Sequence, residues 1–289
     1  MTRTTSAALA LLCAAAPATA QTLAPRDTAH VGPAGSGGVG IFNPLTYTPT
    51  AGVELSTYPL AALIAPNGAM RAHLYTAEDA PLTLSWELGA SLPSAAFLSG
   101  PPLGLAGYVT PSCKVHAAEP DRAPNDCQRP GAVFAPSLGL AASWGRDDVL
   151  TAKVDYTYGF LLSGERGTPL DTWAPLNLLF APVFDTWRAH LGVRYDHALL
   201  PGWRVAAEAH LYRVARGPVP GRDPHTFVAH LGTDLRTTTH TRLTFGAMYW
   251  NSDQRAVEVE PDADGYSRFV HVRSHDFGPT LDFLWRWGD

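Results

Sequence analysis

The stretch TWRAHLGVRYDH, residues 186–197, repeats with a period of two. Trp187, Ala189, Leu191, Val193 and Tyr195 fall on one set of positions, and Arg188, His190, Gly192, Arg194 and Asp196 on the other. Successive side chains of a β-strand point to opposite faces, so one face of this segment suits oil and the other carries full charges. The same alternation recurs along the chain. Leu82, Leu84, Trp86, Leu88, Ala90 and Leu92 oppose Thr83, Ser85, Glu87, Gly89 and Ser91. Leu150, Ala152, Val154, Tyr156, Tyr158 and Phe160 oppose Thr151, Lys153, Asp155 and Thr157. Trp203, Val205, Ala207, Ala209 and Leu211 oppose Arg204, Glu208, His210 and Tyr212. No 3.6-residue period competes with this pattern.

These segments run about ten to twelve residues, whereas strands of soluble domains are nearer five or six. A strand tilted across a bilayer needs roughly 9–11. The connections agree with that reading. APNG at 65–68, GRDD at 145–148, LLPG at 199–202 and TTTH at 237–240 are tight, whereas about 93–131, 163–184, 215–224 and 252–275 are long and polar. Short turns at one end and long loops at the other are the habit of membrane barrels. Eleven segments fit a strand: 38–48, 53–63, 68–77, 82–92, 133–144, 149–161, 186–198, 203–214, 225–236, 241–251 and 276–287. A barrel with both chain ends on one side needs an even number. The expected fold is therefore all-β: an antiparallel transmembrane up-and-down β-barrel of about twelve strands, with ten as the alternative. The twelfth strand would lie within 22–35 or 176–184.

The first residues, MTRTTSAALALLCAAAPATAQ, read as a cleaved secretory signal over 1–20: Arg3, an apolar run Ala7–Ala16, then Ala18-Thr19-Ala20. Leu12 before Cys13 is too large for a lipoprotein anchor site. Residues 21–37 are expected to be a linker or a weak first strand, and 38–289 the barrel. Two cysteines remain in an exported chain, Cys113 and Cys127, flanking a polar Pro-rich loop, and they are expected to form a disulfide. No segment approaches 18 consecutive apolar residues, so a helical anchor is excluded. A formal charge of −5, with both signs mixed along the chain, gives no basic footprint for nucleic acid.

The ending DFGPTLDFLWRWGD adds a resemblance. Asp276, Gly278, Leu281 and Phe283 resemble the C-terminal assembly signal of bacterial outer-membrane β-barrel proteins. The chain departs from that pattern by running on to Gly288-Asp289. The resemblance implies location in the outer membrane of a Gram-negative bacterium, and recognition by the barrel-assembly machinery. Outer-membrane lipid would surround the wall, with aromatic residues at headgroup depth: Trp144, Tyr195, Trp203, Trp285 and Trp287 at the periplasmic rim, and Tyr158, Phe160, Trp187 and Tyr249 at the outer one.

The inward face would then line a lumen. It carries Arg71, Lys153, Arg188, Arg194, Arg204, Arg236, Arg242 and Arg286 against Glu54, Glu87, Asp155, Asp196, Glu208, Asp234 and Asp282. The signs nearly balance, which speaks against a strongly ion-selective pore and leaves a mixed-charge channel or a lumen filled with ion pairs. Pairing 186–198 with 203–214 about Leu200 would set Asp196 opposite Arg204 and His190 opposite His210. Pairing around GRDD would set Ser143 opposite Thr151 and Gly139 opposite Asp155. His190, His210 and His230 fall inward at similar depth. Three imidazoles could hold zinc, but a polar lumen holds histidines without chemistry; no metal or cofactor is expected. No G-x-S-x-G, H-E-x-x-H, P-loop or dinucleotide fingerprint occurs. The function that fits best is a channel or transport protein for an unidentified small polar or amphiphilic solute. The alternatives are an outer-membrane hydrolase, with His271, Ser274, His275 and Asp276 as candidates, and a structural or surface-interaction barrel.

Overall fold

The computed structural model describes residues 23–77, 81–93, 131–167, 178, 180–215, 223–261 and 267–288. The strands are β1 (Gly37–Gly40), β2 (Leu45–Thr50), β3 (Val53–Thr57), β4 (Asn67–Thr76), β5 (Leu82–Ser91), β6 (Ala132–Gly145), β7 (Asp148–Tyr158) and β8 (Phe160–Ser163). There follow β9 (Trp187–Leu200), β10 (Trp203–Val214), β11 (His225–Arg236), β12 (Thr241–Pro261) and β13 (Ser267–Trp287). Two single-turn helices interrupt them, α1 (Pro59–Ala62) and α2 (Ala181–Phe184). Every described strand pairing is antiparallel. β1 pairs with β13, and β5 with β6, which closes a ring of twelve. β8 stands outside that ring, prolonging the line of β7 beyond Gly159 against the start of β6.

The wall inverts the chemistry of a water-soluble protein. Leu138, Leu140, Leu191, Leu211, Leu281 and Phe283 are exposed on its outside, while Ser143, Thr151, Asp196, Arg204, Asp234 and Asp282 are buried within. Such an exterior is stable only in hydrocarbon, and a closed sheet is the one strand arrangement that leaves no backbone group unpaired there. Trp144, Tyr195, Trp203 and Trp285 lie near the tight turns 146–147 and 201–202 or the chain's last strand end, all exposed outward. At the other end Tyr156 stacks on Trp187 with centroids 6.0 Å apart, and Tyr158 meets Phe160 at 4.7 Å with the rings tilted.

Four local expectations need correction. The segment 38–48 is not one strand but β1 and β2, joined by a turn at 41–44, and this split supplies the twelfth strand. Residues 23–35 form no strand, and 181–184 form α2. The segment 53–63 leaves the sheet after Thr57, because Pro59 opens a helical turn in a run of Ala and Leu, and APNG is the tail of that longer connection. The β9–β10 register is two residues from the expected one: Ala206 faces Asp196, Arg204 faces Ala198, Tyr212 faces His190 and Gly192 faces His210. The turn lies at 201–202 rather than at Leu200, and the bulge between Trp203 and Arg204 makes the resulting shift even, which keeps every side chain on its face. The β6–β7 register has Ser143 opposite Thr151 and Gly139 opposite Asp155, as expected. Residues 1–20, Cys113 and Cys127 lie outside the described residues.

Candidate functional site

The lumen is occupied at its tight-turn end by the chain's own residues 23–36. This segment crosses the interior and is held from six strands. Arg204 of β10 donates Nη1 to the Leu23 carbonyl at 3.0 Å, and Arg242 of β12 to the Ala24 carbonyl at 2.8 Å. Arg26 donates Nε to Asp234 of β11 at 2.6 Å and Nη1 to the Asn43 side chain at 3.0 Å. Asp27 pairs with Lys153 of β7 and lies 3.7 Å from Arg71 of β4, which also donates to the Thr28 carbonyl at 3.1 Å. The Ala29 N–H donates to Ser143 Oγ on β6 at 2.7 Å, and that hydroxyl is 2.8 Å from Thr151. Leu23, Thr28 and Ala29 are buried. Enclosure raises the Asp27 carboxyl's pKa, but Lys153 and Arg71 outweigh it and hold the group well below the usual carboxylate range.

Most of the inward charges are thus engaged rather than free. Arg71 ties Glu54 at 3.4 Å to Glu87 at 3.0 Å. Arg194 spans Asp196 and Glu208. Arg204 is 1% exposed, reaches the Asp147 carbonyl at 2.7 Å and lies 3.8 Å from Asp196. The expected Asp196–Arg204 and His190–His210 contacts form, but as diagonals across the shifted register. Arg236 and Arg286 line the same interior at the tight-turn end. Asp282 acts differently from the rest: its carboxylate accepts the N–H groups of Ile41, Phe42 and Asn43 at 2.8–3.2 Å, and so caps the β1–β2 turn.

Above the plug a belt of imidazoles lies along the wall. His190 Nδ1 meets Asp155, and His190 Nε2 is 3.0 Å from His210 Nδ1. His210 Nε2 is 3.2 Å from Glu208, which His230 Nδ1 approaches at 3.4 Å, and His230 Nε2 is 2.9 Å from Thr280 Oγ1. Two imidazoles between two carboxylates make three contacts, and all three are hydrogen bonds only when the pair carries three protons. Glycines let the rings lie flat. A Cβ at Gly192 would sit 2.8 Å from His210 Nδ1, one at Gly232 2.5 Å from His230 Cε1, and one at Gly246 2.9 Å from His230 Nε2. A repeated Ala-His-Leu at 189–191, 209–211 and 229–231, followed twice by Gly, is the sequence signal for this belt. Among the described residues no group of three or more His, Cys, Asp or Glu is arranged to hold a metal ion.

The outer end holds a second inward element. Phe180, Val183 and Phe184 of α2 and its flank pack on the inner-face residues Val133 and Ala135 of β6 and on Ile64. Gly159 permits this approach, because a Cβ there would lie 2.3 Å from the Pro182 carbonyl oxygen. Arg166 donates to that carbonyl at 2.9 Å, and Arg188 to the Leu178 carbonyl at 3.0 Å while lying over the Tyr212 ring. The cavity left inside measures about 1940 Å³ and is lined by plug, ion-pair network and belt.

Of the hydrolase candidates, Ser274 and His275 do not converge. Ser274 points inward, with Oγ donating to the Ser252 carbonyl at 3.4 Å, whereas His275 points outward, where its Nδ1 lies 2.7 Å from Tyr249 OH. Of the assembly-signal positions, Leu281 and Phe283 face outward, and Gly278 leaves room for the Trp250 ring, 3.3 Å from where a Cβ would stand.

No family model matches the chain, and no curated protein does. Solved structures of similar fold do exist. An outer membrane channel from Pseudomonas putida F1 is 12% identical, with a TM-score of 0.45, covering 92% of this chain and all of that one. The outer membrane protein OmpT of Vibrio cholerae is 8% identical at a TM-score of 0.43, covering 84% of this chain and 64% of that one. A Pseudomonas aeruginosa FadL homologue is 13% identical at 0.40, covering 87% and 68%. The chain thus spans under two thirds of the Vibrio protein's length. These likenesses are of fold. The greasy exterior, ionic interior and closed ring carry the remaining step. The chain is a twelve-stranded barrel of the outer membrane.

Proposed function

We propose that the protein is an outer-membrane channel or transporter for small polar or amphiphilic solutes, gated by residues 23–36. The observation that carries this reading is the nature of the plug's anchors. They are guanidinium–carbonyl bonds and ion pairs beside a cavity of about 1940 Å³, and water can replace each of them when the segment moves. The plug buries only Leu23 and Ala29 among its apolar side chains, whereas α2 and its flank bury Phe180, Val183 and Phe184 together. The near balance of inward charge favours solutes without a single dominant sign. Recognition of Asp276, Gly278, Leu281 and Phe283 by the barrel-assembly machinery, removal of 1–20 and a Cys113–Cys127 disulfide are part of the same proposal. The test is planar-bilayer conductance of the full chain with Asp27→Cys and Lys153→Cys. The oxidised, locked form is expected to conduct at least about tenfold less than the reduced form, the ratio for a gate biased by about 1.4 kcal/mol. Equal conductance in both forms would remove the gating claim, and no conductance in either would remove the channel.

A further inference from the structure

The inward charges balance over the whole face, but not at every depth. Along most of the wall the registers set cation against anion. Arg71 faces Glu54 on β3 and Glu87 on β5, Arg194 faces Glu208, and Arg204 faces Asp234. Unlike charges directly opposite each other steady a sheet, and like charges destabilise it. One position departs from this rule among the described residues. Arg236, at the end of β11, stands directly opposite Arg242, at the start of β12. Arg242 in turn faces Leu284 of β13, and Arg286 is the next inward residue on that strand.

Three guanidinium groups therefore gather at the tight-turn end on three adjacent strands. The nearest inward carboxylates of β11 and β13 are committed elsewhere. Asp234 accepts from Arg26 at 2.6 Å, and Asp282 accepts the N–H groups of Ile41, Phe42 and Asn43. Arg242 donates to the Ala24 carbonyl, which brings no full charge to offset its own. The Arg236 guanidinium has no hydrogen bond or ion pair with any described residue. Gly38 makes room for the cluster, since a Cβ there would lie 3.2 Å from Arg286 Cγ. The turn beside it is braced: Thr238 Oγ1 accepts the N–H groups of His240 and Thr241 at 3.2 and 3.1 Å, and the Arg286 N–H donates to the His240 carbonyl at 2.7 Å. The three arginines, with His240, Thr238 and Thr241, line a small cavity of about 10 Å³, room for about one oxygen atom. The same arginines also line the main cavity.

We propose that this cluster binds the phosphate group of a dissolved solute at the tight-turn end of the lumen. A phosphate monoester carries about −1.5 to −2 charges at pH 7, which offsets the arginines better than a carboxylate's single charge. Its three free oxygens can accept from guanidinium forks on separate strands. One oxygen fills the small cavity and the rest of the solute lies in the main one. The site opens to the lumen and not to the bilayer, which selects a dissolved phosphate over a lipid headgroup. The inference stands apart from the channel reading, because binding is read without flux.

The test is calorimetric titration of the full chain with inorganic phosphate, in a phosphate-free non-ionic detergent. Arg236→Gln is expected to weaken binding at least about tenfold. Arg286→Lys keeps the charge but loses the fork, and is expected to weaken it several-fold. Arg213→Gln, an exposed site at the far end of β10, is expected to stay within about twofold. Thermal unfolding gives a readout that a merely structural arginine would not move. Without phosphate, Arg236→Gln relieves the like-charge pair and is expected to unfold at a higher temperature than wild type. With saturating phosphate the order is expected to reverse. Absence of binding to wild type, or binding untouched by Arg236→Gln, would overturn the site. Acetate binding as tightly as phosphate would overturn the phosphate assignment. Phosphatidic acid in the micelle displacing inorganic phosphate as well as glycerol 3-phosphate does would overturn the choice of a dissolved ligand.

Discussion

Two segments fold into the lumen by opposite physics. Residues 23–36 are held almost wholly by charge and backbone hydrogen bonds, and α2 by Phe180, Val183 and Phe184 against Val133 and Ala135. Ionic anchors in a wet lumen are weakened by salt and replaced by water without leaving a void. An apolar cluster keeps its strength in salt, and truncating it leaves a cavity. On the proposed gating, the segment 23–36 is the element that moves and α2 the one that stays.

The largest expected effect is at the outer element. Phe184→Ala should cost about 3–5 kcal/mol of local stability, read as proteolysis within 164–186, and the loss should not depend on salt. If high salt alone released α2, the contrast would be wrong. Arg26→Ala comes next: it strips Asp234 of a charged partner and should cost plug docking about 1.5–3 kcal/mol, read as more frequent channel openings. The same openings should rise in wild type between low and high salt.

Gly232→Ala tests the space between the two elements. Overpacking His230 should cost about 1–3 kcal/mol, read as a lowered unfolding temperature, without opening the plug or freeing α2. The smallest effect is that of acid. The Asp27 pKa is depressed when docked, so its contribution to docking is complete above the free carboxylate's value near 4 and fades as pH falls below it. Openings should be flat from pH 7 to about 4.5 and increase below about 4; a rise that begins well above that range would count against Asp27 as the group responsible.

Alternation made the wall legible, because every inward and outward position follows from the pleat and survives a two-residue slip. Asp196 and Arg204 met despite the shifted register for that reason. The plug was illegible because its main anchors are the carbonyls of Leu23, Ala24 and Thr28, which any residue supplies. Helix α2 hid in an apolar run too short to tell helix from strand. The β1–β2 split was hidden because Asp282, whose carboxylate caps the turn, lies some 240 positions away in the chain.

The plug's anchors also join the earliest described residues to nearly the latest, over separations of 181, 208 and 218 positions. Contact order that high places docking at the end of folding, after β10, β11 and β12 exist. A newly closed barrel would therefore pass through a leaky interval before its own leading segment quiets it, and assembly speed would set how long the cell tolerates that breach.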